Sequence, residues 1–301
     1  YYWLRDDTRT NPDVLGYLEA ENAYKQAMMK HTDALEERLY NEFIARLKQD
    51  DSTVPYRKRG YWYYTRFETG KEYPVYARKA GTLEAAEQVM LDGNALSTGH
   101  DFYEVGAMAI APNDRILAYV DDTVGRREYT LRFKDLETGE TLPDHVVSID
   151  PYIAWTADSA SVLYVDKHPE TLLGYRVLRH VLGTDSAQDA LVYEQDDESF
   201  YTSVLNTKDE RYVLIKAEST VSSEWRYADA ADPALAFHVF LPRERDHEYD
   251  INHLDGRWII RSNWKAPNFR LMEATAGEEG DRANWRELIA HRDDAFIHGF
   301  D

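Results

Sequence analysis

The sequence contains no cysteine, and this absence removes several kinds of chemistry from consideration. Disulfides, catalysis by a thiolate and cysteine metal sites are all excluded. No run approaches the roughly 18–20 apolar residues of a membrane-spanning helix, and no basic segment followed by an apolar one suggests a secretory leader. We therefore expect a protein of the reducing cytoplasm without a membrane partner, and a periplasmic location stays open.

Sequence motifs of common enzyme sites are also missing. There is no G-x-S-x-G nucleophile elbow, no glycine-rich dinucleotide or phosphate loop and no H-E-x-x-H zinc motif. The ten histidines are scattered, although His247 and His253 are an even number of residues apart and could share one face of a strand. Packing roles fit both histidines better than metal binding does. We expect no metal, no cofactor and no catalytic residue within this chain.

Basic residues are few beside the acidic ones, since 35 Lys and Arg accompany 55 Asp and Glu for a formal net charge of −20. A field of this sign repels nucleic acid and attracts cationic ligands, so no nucleic-acid partner is expected. Two explanations of the charge stay open: attraction of basic ligands, or solubility, for example in a salt-rich habitat. Acidic pairs such as Asp121-Asp122 and Asp196-Asp197 lack calcium-loop spacing and are interpreted as solvated turn residues.

A repeat is the main feature that the sequence does contain. A short strand, a turn with an aspartate and a second strand recur, and the turn aspartates are roughly 44 to 51 residues apart, the length of a four-stranded propeller blade. Radial stacking of such blades buries both faces of each sheet. A β-sandwich with regular hairpins is the alternative, but it has no such longer period. The turn aspartates are Asp114, Asp158, Asp209 and Asp255.

These repeats predict a mainly β fold with about five propeller blades. The first blade lacks the turn aspartate, but its aromatic run RGYWYYTRF favours strands. Because the chain starts at Tyr1 rather than methionine and ends one strand into a repeat, we expect it to be part of a longer protein. The blades are predicted at about 54–96, 105–147, 148–194, 199–244 and 247–292, with the start of a sixth from 295.

Residues 1–53 are predicted to form an arm and two helices that precede the propeller. The aromatic start YYWLRDD is typical of an arm that docks on another surface. Asn11 can cap a helix, Pro12 suits its first position, and Asp13 interacts favourably with the positive end of the helix dipole. Thr32 can cap a second helix. Apolar stripes predict a buried face for each helix, at Tyr17, Ala20, Tyr24, Ala27 and Met28 and at Leu35, Leu39, Phe43 and Leu47.

The loops between the second and third strands of successive blades should emerge on one face. They are predicted at 121–128, 167–174, 218–225 and 262–267. Within them Arg126, Arg127 and Glu224 are candidates for a substrate gate or for ion pairs across a domain interface. The alternative is that these are solvent-exposed loop charges of little energetic value.

Several long segments resemble the oligopeptidase B (protease II) branch of the prolyl oligopeptidase family of serine peptidases. The N-terminal segments YYWLRDD and YLEAENAY are similar to the arm and first helix of that family. The propeller segments KHPETLLGYRVLRHVLGT, VFLPRERDHEYDINH and RSNWKAPNFRLMEA are similar to its oligopeptidase B members. The resemblance covers nearly the whole chain.

This resemblance implies a seven-bladed propeller that covers a C-terminal α/β-hydrolase domain carrying a Ser-Asp-His triad. The family cleaves short peptides after Arg or Lys, and its propeller excludes folded proteins. The implied partners are therefore a hydrolase domain of the same protein and short basic peptides. Without that domain, this chain alone is expected to be inactive. A stand-alone propeller that binds a protein or peptide is the alternative function. A propeller enzyme with its site in the central channel is disfavoured, because the inner strands carry mainly apolar and small polar residues.

Overall fold

The computed structural model of the protein describes residues 1–300 and divides them into two compact units. The first unit comprises Tyr1–Val54 and Arg66–Glu72, and the second comprises Pro55–Thr65 and the chain from Tyr73 onward. Among the described residues, no helix combines the length and apolar character needed to cross a membrane.

The first unit is helical, as the sequence predicts. Helix α1 spans Pro12–Met29, and helix α2 spans Asp33–Arg46 after a 3-10 turn. Asn11 caps α1 because its Oδ1 accepts a hydrogen bond from the Asp13 amide at 3.0 Å. In the aromatic arm, Trp3 packs edge-on against Tyr17, with ring centroids 5.0 Å apart. Large side chains of the two predicted stripes are nevertheless exposed, at Tyr17, Tyr24, Met28, Leu35, Leu39, Phe43 and Leu47.

The second unit consists of antiparallel sheets in which consecutive strands are neighbours. A short helix, α3 (Gly93–Leu96), follows the first sheet. The first sheet contains β1 (Tyr56–Lys58), β2 (Tyr61–Arg66), β3 (Val75–Ala80) and β4 (Glu87–Asp92). The next contains β5 (Glu104–Ile110), β6 (Ile116–Asp122), β7 (Tyr129–Asp135), β8 (Thr141–Trp155), β9 (Ser161–Lys167), β10 (Gly174–Val181) and β11 (Ala190–Glu194). The last two contain β12 (Tyr201–Asn206), β13 (Tyr212–Glu218), β14 (Ser223–Asp229) and β15 (His238–Val239), then β16 (Tyr249–Leu254), β17 (Arg257–Ser262), β18 (Arg270–Thr275) and β19 (Arg286–Ile289).

The seven-stranded sheet is two blades joined through the long strand β8. The first part of β8 pairs with β7, and its last part pairs with β9, with a shift of register between Asp150 and Ile153. We therefore describe five blades: β1–β4, β5 to the first part of β8, the last part of β8 to β11, β12–β15 and β16–β19. The sequence predicts the second and third blades as separate sheets, because the turn-forming residues within β8 conceal the continuity of the strand.

The second strand of each of the middle blades is buried along most of its length. All seven residues of β6 are buried, as are the first five of β9 and the first four of β13. Neighbouring blades cover both faces of these strands, so their sequences are continuous apolar runs rather than alternating patterns. The largest aromatic cluster lies between the fourth and fifth blades, where Trp258 packs against Tyr212 and Phe240 with ring centroids 4.9 and 5.2 Å apart.

The first hairpin turns of blades two, three and four share one geometry. In residues 111–116, 156–161 and 207–212, the first amide donates to the sixth carbonyl and the fourth amide donates to the first carbonyl. The fourth residue has a positive φ in each turn, at Asp114, Ser159 and Glu210. The repeat in the sequence pairs Asp114 with Asp158 and Asp209, but in the structure the equivalent residue is Asn113. Asn113 Oδ1 accepts from the Arg115 amide just as Asp158 Oδ1 accepts from the Ala160 amide.

Residues 291–300 contain no strand, and the only pairing described there is an isolated bridge between Arg292 and Ala295. The amide of Ile297 donates to the carbonyl of Asn268 at 3.0 Å. The predicted start of a sixth blade at 295–301 has no neighbouring strand among residues 1–300, and Asp301 lies outside the described residues. That blade therefore stays a prediction.

Candidate functional site

Four loops lie at one end of the blades, and the first of them carries Arg126 and Arg127. They follow the second strand of blades two to five and span 123–128, 168–173, 219–222 and 263–269. Consecutive hairpins of an antiparallel sheet alternate between its two ends, so these four loops share the end opposite the matched first turns.

The loop at 123–128 is built around one buried carboxylate. Asp122 Oδ1 accepts hydrogen bonds from the amides of Val124 and Gly125, and its Oδ2 accepts from those of Arg126 and Arg127, at 2.7–3.0 Å. Burial alone would raise the pKa of Asp122, but the four backbone donors outweigh it and the pKa lies below its usual value. Asp122, interpreted from the sequence as a solvated turn acid, is only 1% exposed and fixes the loop.

Arg126 and Arg127 are therefore presented on a fixed backbone. Both side chains are exposed, and within residues 1–300 neither guanidinium makes an ion pair or a side-chain hydrogen bond. Arg127 has a positive φ of 57°, which the Asp122 contacts stabilise. Two unpaired arginines on an ordered loop are available to a carboxylate outside these residues, whether on a substrate or on another domain.

Lys167 connects this loop to the third blade. Its ammonium donates to the carbonyl oxygen of Arg127 and lies 3.0 Å from Asp150 Oδ1. Gly174 makes this approach possible, because a Cβ built there would lie 2.3 Å from Asp150 Oδ2. The loop at 123–128 is thus held to the end of β9 by the bond from Lys167 to the Arg127 carbonyl, and Asp150 fixes the position of that ammonium.

Glu224 lies in strand β14 rather than in the predicted loop 218–225, because pairing with β13 begins at Ser223. Its residue is 8% exposed, and its carboxylate contacts Arg226 at 3.0 Å and Arg243 at 3.9 Å. The structure does not bring Glu224 into a contact with Arg126 or Arg127 within the described residues. Its assignment to a gate or interface stays a prediction, whereas its observed partners hold β14 to the linker after the fourth blade.

An acidic cleft of about 280 Å³ lies between the third blade and the segment that leads from it to the fourth. Tyr175 and Phe200 form part of its wall, and the guanidinium of Arg243 lies 3.6 Å above the Phe200 ring. A hydrogen bond from Ser199 lowers the pKa of Asp197. The sequence does not predict this cleft, because its lining combines residues 168–176 with the more distant segment 194–200. It is lined by His168, Thr171, Leu173, Tyr175, Arg176, Glu194, Gln195, Asp196, Asp197, Glu198 and Phe200.

A serine–histidine contact in the fifth blade does not have the properties of a catalytic pair. His247 Nε2 lies 2.9 Å from Ser262 Oγ, but Arg282 donates to His247 Nδ1 at 2.9 Å. That donor leaves the ring proton on Nε2, so the imidazole cannot accept the serine proton. Burial, reinforced by Arg282, lowers the pKa of His247 to about 4.

Buried histidines of the second unit have structural partners. His253 Nδ1 lies 2.7 Å from Asp209 Oδ2, which joins the fifth blade to the first turn of the fourth. Residues 1–300 contain no group of three or more His, Cys, Asp or Glu side chains that could hold a metal ion. The described arrangement therefore offers binding surfaces and fixed loops, and its histidine contacts are those of packing.

The chain matches a known family along its whole length. Residues 1–301 match the model of the N-terminal β-propeller domain of prolyl oligopeptidase. The sequence is 51% identical to dipeptidyl aminopeptidase BI of Pseudoxanthomonas mexicana, covering 100% of this chain and 44% of that protein. It is 29% identical to protease 2 of Moraxella lacunata, covering 97% of this chain and 43% of that protein.

A solved structure shows the same fold. Oligopeptidase B from Leishmania major superposes with a TM-score of 0.90 at 30% identity, covering 99% of this chain and 42% of that chain. The chain thus spans less than half the length of the relatives it matches. The predicted fold, a mainly β propeller preceded by two helices, and the predicted resemblance are both confirmed. The chain belongs to the N-terminal β-propeller domain family of prolyl oligopeptidases.

Proposed function

We propose that this chain is the non-catalytic propeller region of a serine oligopeptidase that hydrolyses short peptides after Arg or Lys. The observation that carries the proposal is the match over all 301 residues to the propeller domain of a peptidase family, within relatives more than twice as long. The nucleophile, base and acid of the reaction are then supplied by the C-terminal domain of the same protein.

Its role in that protein is to gate the active site and select substrates by size. The exposed apolar side chains of α1 and α2 support a further domain as their partner, since large exposed apolar patches are typical of interaction sites. Arg126 and Arg127 are unpaired within the described residues and stand on a loop fixed by Asp122, which suits contacts to that domain or to substrate.

The experiment is hydrolysis by the complete protein of an N-terminally blocked arginyl anilide, an unstructured peptide and a folded protein. We expect the blocked substrate and the peptide to be cleaved after Arg or Lys, the folded protein to resist, and residues 1–301 alone to be inactive. Hydrolysis by residues 1–301 alone would contradict the proposal. A complete protein that binds peptides without cleaving them would favour a stand-alone binding propeller.

A second candidate, release of dipeptides from a free N-terminus, is favoured by the 51% identity to a protein named dipeptidyl aminopeptidase BI. Dipeptide release requires a free amino group at the N-terminus of the substrate, whereas cleavage after an internal Arg or Lys does not. Acetylation of the N-terminus should abolish dipeptide release and leave cleavage after internal Arg or Lys intact.

The gate assignment of Arg126 predicts a selective effect of charge reversal. In the complete protein, Arg126→Glu should lower kcat/KM by about tenfold, because one interfacial ion pair is replaced by a repulsion. Arg245→Glu is the matched control, since the Arg245 side chain is 89% exposed and its ion-pair partner within residues 1–300 is the adjacent Asp246, at 3.7 Å. Equal kcat/KM values for the wild type and both variants would leave Arg126 as a solvated loop charge.

A further inference from the structure

The guanidinium of Arg243 rests on an aromatic ring and is only loosely paired. It lies 3.6 Å above the ring of Phe200, and its ion-pair partners are Asp197 Oδ2 at 3.6 Å and Glu224 Oε2 at 3.9 Å. Both distances exceed the length of a charge-assisted hydrogen bond, which is about 2.7–2.9 Å. The Nε of Arg243 is buried and has no hydrogen-bond partner within residues 1–300. The ring therefore holds this cation more firmly than its carboxylates do.

A second arginine, in the wall of the acidic cleft, shows the same setting with a firm bond. The guanidinium of Arg176 lies 4.6 Å above the Tyr175 ring, and its Nε donates to Glu194 Oε1 at 3.0 Å. Arg176 is thus a fixed part of the cleft wall. Arg243 also has an aromatic face beside carboxylates but lacks such a hydrogen bond, so a guanidinium from another molecule can replace it at little cost.

The residues around Arg243 come from separate parts of the chain that share one end of the blades. Asp197 and Phe200 lie between β11 and β12, whereas Arg243 lies between β15 and β16. Connections between blades lie at the end opposite the first hairpin turns, because the strands of a blade alternate in direction. Phe200 is 7% exposed, so its ring is fixed, whereas the Arg243 side chain is 28% exposed and within reach of solvent.

The acidic cleft adjoins this arrangement, because Asp197 and Phe200 also line it. Two further acids of its lining, Asp196 and Glu198, are exposed and make no ion pair within residues 1–300. A cation that takes the place of Arg243 therefore leaves the charge around the ring unchanged, while the rest of the peptide that carries it approaches unpaired carboxylates. Basic peptides gain most from this exchange.

We propose that Phe200, Asp197 and Glu224 form a subsite for an arginine of a peptide substrate, which Arg243 occupies until the peptide displaces it. This proposal rests on the proposed function, because it concerns the peptides that the complete enzyme takes. The arginine bound here is distant from the cleaved bond. A guanidinium suits the subsite better than an ammonium, because its plane stacks on the ring while its several donors face both carboxylates.

The test measures binding of an uncleavable peptide to the complete protein by fluorescence anisotropy. The probe is a short unstructured peptide of D-amino acids with one arginine, and the reference peptide carries citrulline there, which keeps the shape and lacks the charge. Arg243→Gln removes the internal competitor. We expect the Kd of the arginine peptide to fall by about fivefold and the Kd of the citrulline peptide to stay within about twofold.

Arg245→Gln is the matched control, because it makes the same change of charge on the same linker, where the Arg245 side chain is 89% exposed. Its Kd for both peptides should stay within about twofold of the wild-type value. Asp197→Asn added to Arg243→Gln should raise the Kd of the arginine peptide again, because the subsite then lacks one carboxylate. If Arg243→Gln does not accumulate as folded protein, Arg243→Lys decides, since it keeps the charge, loses the stacked plane and should lower the Kd in the same direction.

Two results would overturn the subsite and leave the proposed function intact. One is an equal change in the Kd of the arginine and citrulline peptides, and the other is an equal Kd of the arginine peptide for Arg243→Gln and Arg245→Gln. The proposed function is tested apart from this by hydrolysis of a blocked arginyl anilide. A wild-type protein that does not hydrolyse the anilide would remove the proposed function, whatever the Kd values.

Discussion

His247 shows how one buried side chain couples folding to pH. Its imidazole is 4% exposed, receives a hydrogen bond from Arg282 and donates to Ser262. Burial and then the Arg282 charge lower the pKa from 6.5 to about 4. In the unfolded chain the ring is free to take up a proton near pH 6.5, whereas in the folded chain it resists protonation until about pH 4.

The direction of the pH effect follows from this difference. Between pH 6.5 and 4 the unfolded state binds more protons than the folded state, so the free energy of unfolding falls as the pH falls. The slope contributed by His247 should reach about 1.4 kcal/mol per pH unit. Denaturant unfolding at several pH values gives the free energy of unfolding of the wild type and of His247→Gln. The change with pH in the difference between these two free energies measures the contribution of His247.

The control for this titration is His145→Gln, because His145 is exposed on β8. That variant should follow the wild-type pH profile throughout the window. A difference between wild type and His247→Gln that stays constant from pH 7 to 4.5 would show that the buried ring does not titrate as described.

Neighbouring blades are joined by side chains that take the place of strand pairing. The Asn206 side chain, at the end of β12, accepts from the Trp155 amide and donates to the Trp155 carbonyl, both at 2.9 Å. The Trp155 indole donates to the carbonyl of Ala109 in the second blade at 2.9 Å. One end of β8 is thus tied to the blade before it and to the blade after it.

Removing the Asn206 amide should destabilise the propeller. Asn206→Ala leaves the backbone amide and carbonyl of the buried Trp155 without partners, at an expected cost of about 2–3 kcal/mol in the free energy of unfolding. Asn284→Ala is the matched control, because Asn284 is exposed and its side chain makes one hydrogen bond, to the Glu278 carbonyl at 3.2 Å. The free energy of unfolding of Asn284→Ala should stay within about 0.5 kcal/mol of the wild-type value. Equal losses in the two variants would mean that Asn206 does not join the blades.

The charge of the whole chain bears on which substrates approach it. Its formal net charge is −20, and the cleft beside the third blade adds a local concentration of carboxylates. Such a field increases the encounter rate of cationic ligands, and salt screens it over a Debye length of about 10 Å at 0.1 M.

Salt should therefore discriminate between substrates of different charge. In the complete protein, raising the salt concentration from about 20 to 300 mM should lower kcat/KM several-fold for a peptide with additional lysines far from the cleaved bond. A peptide with glutamines at those positions should change little. Initial rates at substrate concentrations below KM give kcat/KM for each peptide. Identical salt dependence of kcat/KM for the two peptides would exclude electrostatic attraction of substrate.

The repeat, the mainly β fold, the two helices and the family can all be predicted from the order of the residues. These features are short-range or periodic: Asn11 caps a helix through its neighbour Asp13, and apolar runs such as β6 recur at the length of a blade. Long similar segments in the same order then identified the family without any knowledge of contacts. The absence of nucleophile motifs and metal patterns likewise depends on sequence alone.

Which charged side chains contact one another depends on how the blades pack. Arg59 and Glu210 are 151 positions apart, and no local pattern relates a turn of the first blade to a turn of the fourth. Glu224 was predicted in an exposed loop, but strand pairing turns it toward Arg226 and Arg243. Asn113, rather than Asp114, matches Asp158 and Asp209, because each is the third residue of its turn and accepts the same backbone hydrogen bond. Such contacts depend on how blades pack around an axis, and the chain specifies that packing only through all of its blades together.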